Sequence, residues 1–322
     1  MNRVTLIPAV MCLIVLFVCC DAFSMSTDVS GIQIKSKNSE VRIGEPFVVE
    51  LIVNRTSPTL QPGATHASNN WRQEGFFKIS FIEDDPNSFA ILKAFPLSLP
   101  IVDSEGLQYG YSFVIFYDAL AQKLFFDKSG MYSVQYFLTK SEYSNRIEVF
   151  VNESIQSAKD PALLLSDPND YFFLEFGDHF NTNKHSESIS RLEEVARQYP
   201  DAILGKWCAA RLGLEYFGEF HKKHPSHEKF RASKIRGQIQ EPLFDRAHLY
   251  LTKGAALPDE FPIREKVLLE LSVTEFINNE LIRANFILDE LATKYPQSKY
   301  GKKAVQGKAE LEDLNRRESA QP

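Results

Sequence analysis

A nine-residue motif that occurs twice in the C-terminal half of the chain places the tightest constraint on its fold. Residues 192–200 are Leu-Glu-Glu-Val-Ala-Arg-Gln-Tyr-Pro, and residues 288–296 are Leu-Asp-Glu-Leu-Ala-Thr-Lys-Tyr-Pro. A Gly-Lys pair follows each copy, at 205–206 and at 301–302. Because proline cannot continue a helix, each Tyr-Pro is predicted to end one. Recurrence of such a unit within one chain indicates stacked helix pairs that bury their apolar faces against each other.

Two further segments share a second spacing pattern. They are Phe173-x-x-Phe176-Gly177-x-x-Phe180 and Ala209-x-x-Leu212-Gly213-x-x-Tyr216. Both resemble the first helix of tetratricopeptide repeats, whose pattern is Trp-x-x-Leu-Gly-x-x-Tyr and whose period is about 34 residues. The resemblance implies helix pairs at about 170–200, 203–257 and 262–296, followed by a solvated cap at 300–317. It also implies that the two glycines let neighbouring helices approach closely.

The resemblance extends to a particular setting. The run Tyr-Pro-Gln-Ser-Lys-Tyr at 295–300 is similar to runs in repeat proteins of the bacterial cell envelope. The third helix pair departs from the family pattern, because it has Glu270-Leu271 near the place of Leu-Gly. The resemblance therefore implies a fold more directly than it implies a function.

The N-terminal half has the two-residue period of strands between Gly31 and about Glu153. Val, Ile, Thr, Phe and Tyr alternate with polar residues, and turns interrupt them. Six segments are predicted as strands, at 32–35, 47–53, 76–81, 111–116, 131–137 and 147–151. Short strands with no intervening helix favour an antiparallel β-sandwich.

Tyr132 sharpens that prediction. It opens a predicted strand two residues after Gly130, which resembles the tyrosine corner of immunoglobulin-like domains, where the hydroxyl bonds back to the chain. The alternative is a tyrosine that simply starts a buried strand.

The chain is thus predicted to be multidomain, all-β plus all-α. It is expected to have an immunoglobulin-like sandwich at 25–153, a linker at 154–169, tetratricopeptide-like repeats at 170–317 and a disordered tail at 318–322.

The first 24 residues have the pattern of a signal peptide. Arg3 precedes an uncharged apolar run from Val4 to Cys20, and Ala22-Phe23-Ser24 supplies small residues for cleavage. The chain is therefore expected in the periplasm or cell envelope. Two alternatives are an uncleaved helix that anchors the chain in a membrane and lipidation at Cys19 or Cys20.

Cleavage of the leader would leave a single cysteine. Cys12, Cys19 and Cys20 all lie within the leader, so only Cys208 would remain and no intrachain disulfide could form. Cys208 lies in an apolar helical pattern between Trp207 and Ala209. We expect it to be a buried, inert thiol rather than a nucleophile.

A basic insert lies between the two helices of the second predicted pair, at 221–236. A single acid, Glu228, stands among six cations, namely Lys222, Lys223, Lys229, Arg231, Lys234 and Arg236. Such a cluster could attract an anionic partner surface, and the alternative is an uncommitted solvated loop. The formal net charge of −6 and the export signal argue against nucleic acid as the partner.

The same insert contains His221, His224 and His227 at three-residue spacing. Imidazoles at this spacing could bind zinc, copper or nickel, although Pro225 interrupts the segment and the stronger interpretation is a loop. Glu83-Asp84-Asp85 lacks the spaced ligands of a calcium loop and is predicted to be a turn. No nucleophile, metalloprotease or nucleotide motif is present, so neither an enzyme nor a cofactor is predicted.

The function predicted from the sequence is that of a non-catalytic binding or scaffold protein of the bacterial cell envelope. Its helical repeats would present a concave surface to a protein or peptide. Lys206, Tyr216 and Phe173 are candidate contacts, together with the cations of the basic insert. The alternative for the apolar residues among them is a place in the core, which repeat packing needs. The alternative is an enzyme-accessory or carbohydrate-binding protein that uses the β-sandwich, with Trp71 beside Arg72 stacking on a sugar.

Overall fold

The computed structural model describes residues 31–54, 75–84, 89–92, 101–102, 108–118, 123–138, 143–153, 161–165, 167–177, 185–235 and 240–319. The predicted leader at 1–24 lies outside these residues, as do Trp71, Arg72, Phe180 and Arg236. Strands occupy the earlier described ranges and helices the later ones. Across the described ranges, no helix combines the length and apolar character needed to cross a membrane.

The strands form two larger sheets and a small ribbon. One sheet has the order β1-β3-β7-β6, the second has the order β2-β11-β10-β4-β5, and β8 pairs with β9. Their bounds are β1 Ile32–Lys35, β2 Glu40–Arg42, β3 Phe47–Asn54, β4 Phe76–Phe81, β5 Ala90–Leu92, β6 Ile101–Val102, β7 Gln108–Ile115, β8 Tyr117–Asp118, β9 Lys123–Leu124, β10 Gly130–Phe137 and β11 Tyr143–Asn152. All six segments predicted from the two-residue period contain strands.

Alternating apolar side chains place both sheets against one core. Ile34 and Leu51 from the first sheet and Phe77, Val134 and Val149 from the second are fully or almost fully buried in the same cluster. The rings of Phe77 and Phe113 join the two sheets edge to face, with centroids 5.1 Å apart. Burial of these faces is the main favourable contribution to the stability of this half.

The expectation of a purely antiparallel arrangement is wrong at one sheet edge. β2 runs parallel to β11, with Val41 opposite Val151. The N–H of Phe150 donates to the carbonyl of Ser39 at 2.8 Å, and the N–H of Ile43 donates to the carbonyl of Asn152 at 3.2 Å. Three residues are too few to show a period, so this edge strand could not be recognised from the sequence.

Tyr132 bonds back to the chain as the tyrosine corner implies. Its hydroxyl accepts from the backbone N–H of Lys128 at 3.1 Å and donates to Asp127 Oδ1 at 3.2 Å. Burial raises the pKa of Tyr132 to about 12. Gly130 is required beside it, because its φ is +133° and a Cβ would lie 2.6 Å from the ring of Phe81. The predicted turn at Glu83-Asp84 is also present, and Asp84 pairs with Lys128 at 3.2 Å.

Eight helices are described between residues 168 and 319, after a short helical turn at 161–164. They are α1 Pro168–Phe176, α2 His185–Gln198, α3 Ile203–Lys223, α4 His227–Ile235, α5 Pro242–Gly254, α6 Arg264–Ile277, α7 Leu281–Lys294 and α8 Lys299–Ser319. α2 and α5 both pack on α3, α7 packs on α6, and α8 packs on α7. The helices follow the ranges predicted for three pairs and a final cap only in part, because the second range holds three helices, α3, α4 and α5. α1 begins within the predicted linker, at Pro168, and α8 extends two residues into the predicted tail, to Ser319.

The two Tyr-Pro motifs end α2 and α7 in the same way. Tyr199 donates its N–H to Val195, and Tyr295 donates its N–H to Leu291. The carbonyl of each tyrosine then accepts the N–H of the residue three positions later, at 3.2 Å and 3.0 Å. A Cβ on Gly205 would collide with the carbonyl oxygen of Tyr199, and a Cβ on Gly301 would collide with that of Tyr295. The glycine of each Gly-Lys pair therefore lets the next helix start close to the turn.

Gly177 and Gly213 do not play equivalent roles. A Cβ on Gly213 would lie 2.6 Å from the backbone nitrogen of Leu251, so this glycine allows α3 to cross α5 closely, as predicted. Gly177 instead ends α1 with a φ of +71° and donates its N–H to the carbonyl of Phe173 at 2.8 Å. The left-handed conformation, which glycine adopts without strain, explains its presence there.

Aromatic side chains join the β half to the helical half. Phe116 contacts both Tyr171 and Trp207, with ring centroids 5.5 Å and 5.9 Å away, and Tyr117 stacks on Tyr171 at 3.7 Å. Cys208 lies in the same cluster, fully buried and free, as predicted. Burial raises the pKa of its thiol well above the usual range, which keeps it protonated.

Candidate functional site

A groove of about 490 Å³ opens between α4, α6 and α8, with one residue of α7 at its base. Its apolar lining consists of Leu269, Val273, Phe276, Leu288, Leu311 and Leu314. Its polar lining consists of His227, Glu228, Glu270, Ser272, Lys303, Gln306 and Glu310, and Gly307 completes it. A concave surface with an apolar floor and polar groups around it is typical of a binding site.

Helical spacing explains the floor of the groove. Leu269, Val273 and Phe276 lie at positions i, i+4 and i+7 of α6, so they form one stripe on a single face. All three are half-buried, which leaves part of each side chain open to the groove. Gly307 on α8 lies opposite Leu288, and a Cβ there would be 3.4 Å from Leu288 Cδ1. The absence of a side chain at this position deepens the groove.

The basic insert forms one wall, and the expectation of a solvated loop is wrong for most of it. Residues 227–235 form α4, whose Phe230 packs against Phe220 and Phe244 at 4.8 Å and 5.7 Å between centroids. Arg231 places its guanidinium over the ring of Phe276 and donates to Asn279 Oδ1 at 2.6 Å. One buried aromatic and one buried arginine thus hold α4 against the repeat helices.

The cations of the insert are not a uniform exposed surface. Arg231 is 8% exposed, so its prediction as a surface contact is wrong. Lys234 lies over the ring of Phe244 at 3.8 Å and pairs with Asp245 at 3.6 Å, and Lys222 pairs with Glu219 at 2.6 Å. Lys223 and Lys229 are exposed. The attraction for an anionic surface is weakened because the charges of Lys222 and Lys234 are compensated within the chain.

The structure brings together two of the three predicted histidines. His221 Nδ1 and His227 Nε2 are 2.9 Å apart, whereas His224 turns to Glu241 at 3.3 Å. Burial, and then the proximity of His221, lower the pKa of His227. In the part of the chain that the structure describes, no group of three or more His, Cys, Asp or Glu side chains is placed to hold a metal ion.

Tyr216 and Phe173 are structural rather than exposed. Phe173 is fully buried, and Tyr216 is 7% exposed, so the expectation that they contact a partner is wrong. The hydroxyl of Tyr216 donates to Glu193 Oε1 at 2.8 Å, and Tyr250 donates to the same oxygen at 3.3 Å. Burial raises the pKa of Tyr216. Lys206, by contrast, is half-exposed in the first turn of α3.

The groove has an acidic lining. Three carboxylates, those of Glu228, Glu270 and Glu310, stand among its described residues with one lysine, Lys303. Burial raises the pKa of Glu270, and Lys266, Lys303 and His221 oppose this in part. The sequence pattern identified Glu270 only as a departure from the repeat signature. Its position beside an apolar helical stripe is the sequence signal that could have identified it as a residue of the groove.

A second cavity, of about 290 Å³, lies between the two halves of the chain. Three of its charged residues pair with each other or with neighbouring residues. Asp259 pairs with Arg264 at 2.8 Å and with Lys294 at 3.0 Å, and Glu260 pairs with Lys37 at 3.8 Å. The groove, with its apolar floor, is therefore the better candidate for a binding site.

Comparison with known proteins adds no family to this description. No family model matches the chain, and no curated protein is similar to it at a significant level. The geometry of the groove is the basis on which a function can be assigned.

Proposed function

We propose that this chain is a non-catalytic binding or scaffold protein, and that its helical half holds a segment of a partner protein in the groove between α4, α6 and α8. The observation that carries the proposal is the open stripe of Leu269, Val273 and Phe276 on α6, flanked by walls from two other helices. Apolar side chains displayed in this way bind the apolar face of a partner helix, which gains by leaving water.

The size of the groove fits a short segment. Its wall on α8 extends from Lys303 to Leu314, which at 1.5 Å per residue is about 16 Å. A partner helix of about three turns has this length. The contact is small, so a single segment rather than a whole domain face is the natural occupant.

The proposal includes the fold family and the cellular setting. Successive helix pairs and the repeated Tyr-Pro turns support a tetratricopeptide-like array, and two sheets around one core with a Tyr132 hydroxyl bonded to the chain support an immunoglobulin-like sandwich. The apolar leader at 4–20 supports export to the cell envelope. The partner would then be a protein of the same compartment.

A substitution that fills part of the groove tests the proposal. Gly307→Leu adds a side chain beside Leu288, its Cβ at the ordinary contact distance of 3.4 Å from Leu288 Cδ1, and replacing a helical glycine favours folding. Gly218→Leu is the matched control, because Gly218 is also helical and a Cβ there meets nothing within 4 Å. A photo-crosslinking amino acid at Gln306, in the groove, or at Arg197, exposed on α2, would report contact in cells of the source organism.

We expect a discrete crosslinked adduct from Gln306 that is lost with Gly307→Leu and retained with Gly218→Leu. Arg197 should give no such adduct. The proposal is wrong if positions 306 and 197 give the same crosslinked adducts. It is also wrong if the Gly307→Leu variant remains folded and gives the adduct at its original yield.

A further inference from the structure

Glu270 occupies an unusual place in the groove. It lies between Leu269 and Leu271 in the sequence of α6, and it lines the groove beside the apolar stripe. Its side chain is half-buried, so the carboxylate has lost part of its water while one side still faces the open groove. An ionised carboxylate in such a position is unfavourable unless a cation or hydrogen-bond donors compensate it.

Compensation from within the chain is weak. No hydrogen bond and no ion pair joins Glu270 to any residue that the structure describes. Lys266, Lys303 and His221 act on it only through longer-range attraction, and the net effect of burial is still to raise its pKa. Glu275 on the same helix is, by contrast, paired directly: it contacts His248 at 3.1 Å and Arg283 at 3.0 Å.

The residues that line the groove around Glu270 carry a net negative charge as well. Glu228 on α4 and Glu310 on α8 carry two more carboxylates, and Lys303 is the cation among the described lining residues. Gln306 donates to Glu310 at 3.0 Å, which leaves the charge of that carboxylate uncompensated. A cationic side chain that enters between these helices meets a net negative surface over an apolar floor.

We propose that the groove selects a partner segment in which a lysine or arginine is flanked by apolar side chains, and that Glu270 recognises the cation. This inference rests on the proposed function and names the chemistry of the partner. The apolar residues of the segment would cover Val273 and Phe276, while its ammonium or guanidinium group would restore the interactions that the carboxylate of Glu270 lost on leaving water. A hydrogen bond between charged groups in a partly desolvated site is among the stronger polar contacts.

A peptide selection tests the inference on the full chain. Random peptides of about twelve residues, displayed on phage, would be selected for binding, and sequences that also bind the Gly307→Leu variant would be discarded. We expect the remaining peptides to share apolar residues around a Lys or Arg. The same selection on Glu270→Gln should yield groove-dependent peptides without that basic residue.

A double-mutant cycle on one selected peptide then measures the pairing. Replacing its basic residue by Met should weaken binding to the unmodified chain by about tenfold or more, and should change binding to Glu270→Gln much less. Glu312→Gln, which alters an exposed carboxylate on α8 that does not line the groove, is the matched control.

The outcomes separate the two proposals. If every selected peptide also binds the Gly307→Leu variant, the groove does not bind segments and the proposed function fails. If groove-dependent peptides appear but show no preference for Lys or Arg, or if the preference persists with Glu270→Gln, the groove binds as proposed and the role of Glu270 is wrong.

Discussion

The guanidinium of Arg231 on α4 lies over the ring of Phe276 on α6, 4.9 Å from its centroid. This contact joins the wall of the groove to its floor, and the same guanidinium donates to Asn279 Oδ1 at 2.6 Å, just beyond the end of α6. The most basic stretch of the sequence is therefore used in part for internal packing, and the shape of the groove depends on it.

Arg231→Met should destabilise the protein. The change keeps an apolar side chain over Phe276 but removes the charged hydrogen bond to Asn279, which corresponds to a loss of about 1.5–3 kcal/mol in the free energy of unfolding. Denaturant unfolding would measure it. Lys229→Met, an exposed change on the same helix, should alter the free energy by less than about 0.5 kcal/mol. Equal effects of the two variants would contradict the assigned role of Arg231.

The two glycines after the Tyr-Pro turns should not tolerate alanine. Because a Cβ on Gly205 or Gly301 would collide with a tyrosine carbonyl oxygen, we expect each alanine variant to lose about 1–3 kcal/mol of stability. Gly218→Ala, where the Cβ is unobstructed, should instead gain up to about 1 kcal/mol from helix propensity. Thermal unfolding followed by circular dichroism would rank the three variants, and a stabilised Gly301→Ala would show that the close approach is not needed.

Glu175 should make stability depend on pH. Burial raises its pKa to about 7, partly opposed by Arg211, from an ordinary value of 4.5. Since the folded state binds this proton more tightly than the unfolded state does, the stabilising contribution is complete below about pH 4.5 and is lost as the pH rises through about 7.

Glu175→Gln removes that titration. We expect the variant and the unmodified protein to be equally stable near pH 4, and the variant to be more stable by about 1–3 kcal/mol near pH 8. Urea unfolding at both pH values measures the difference, with Glu312→Gln as the exposed control. A pH-independent difference between Glu175→Gln and the unmodified protein would contradict the assignment.

Tyr132→Phe tests the turn before β10. The hydroxyl makes two hydrogen bonds, with the N–H of Lys128 and with Asp127 Oδ1, and their loss should cost about 0.5–1.5 kcal/mol each in the free energy of unfolding. Chemical unfolding monitored by a probe in the β half would detect the change. Unaltered stability would mean that these bonds merely replace equivalent bonds to water.

Local patterns succeeded wherever a few consecutive residues carry the physical constraint. Tyr199-Pro200 and Tyr295-Pro296 end helices because proline lacks an N–H, and the strands of the β half follow from alternation within each segment. The three-residue strand at Glu40–Arg42 has no such local signal, since its position depends on hydrogen bonds to β11. The parallel pairing was missed for that reason.

The candidate site, too, could be predicted from the sequence only where neighbouring residues decide the structure. Composition and spacing alone identified helix pairs, their turns and a basic insert between them. They could not show that Arg231 would be buried against Phe276, that Tyr216 would bond to Glu193, or that Glu270 would face Glu228 and Glu310, because these partners are far apart in the chain. The longer strands and most helices could be predicted from local sequence, because backbone chemistry acts between near neighbours, whereas α4 and the shortest strands could not. The groove and its charge came only from the tertiary structure, because helix packing decides which side chains are removed from water and which charges meet.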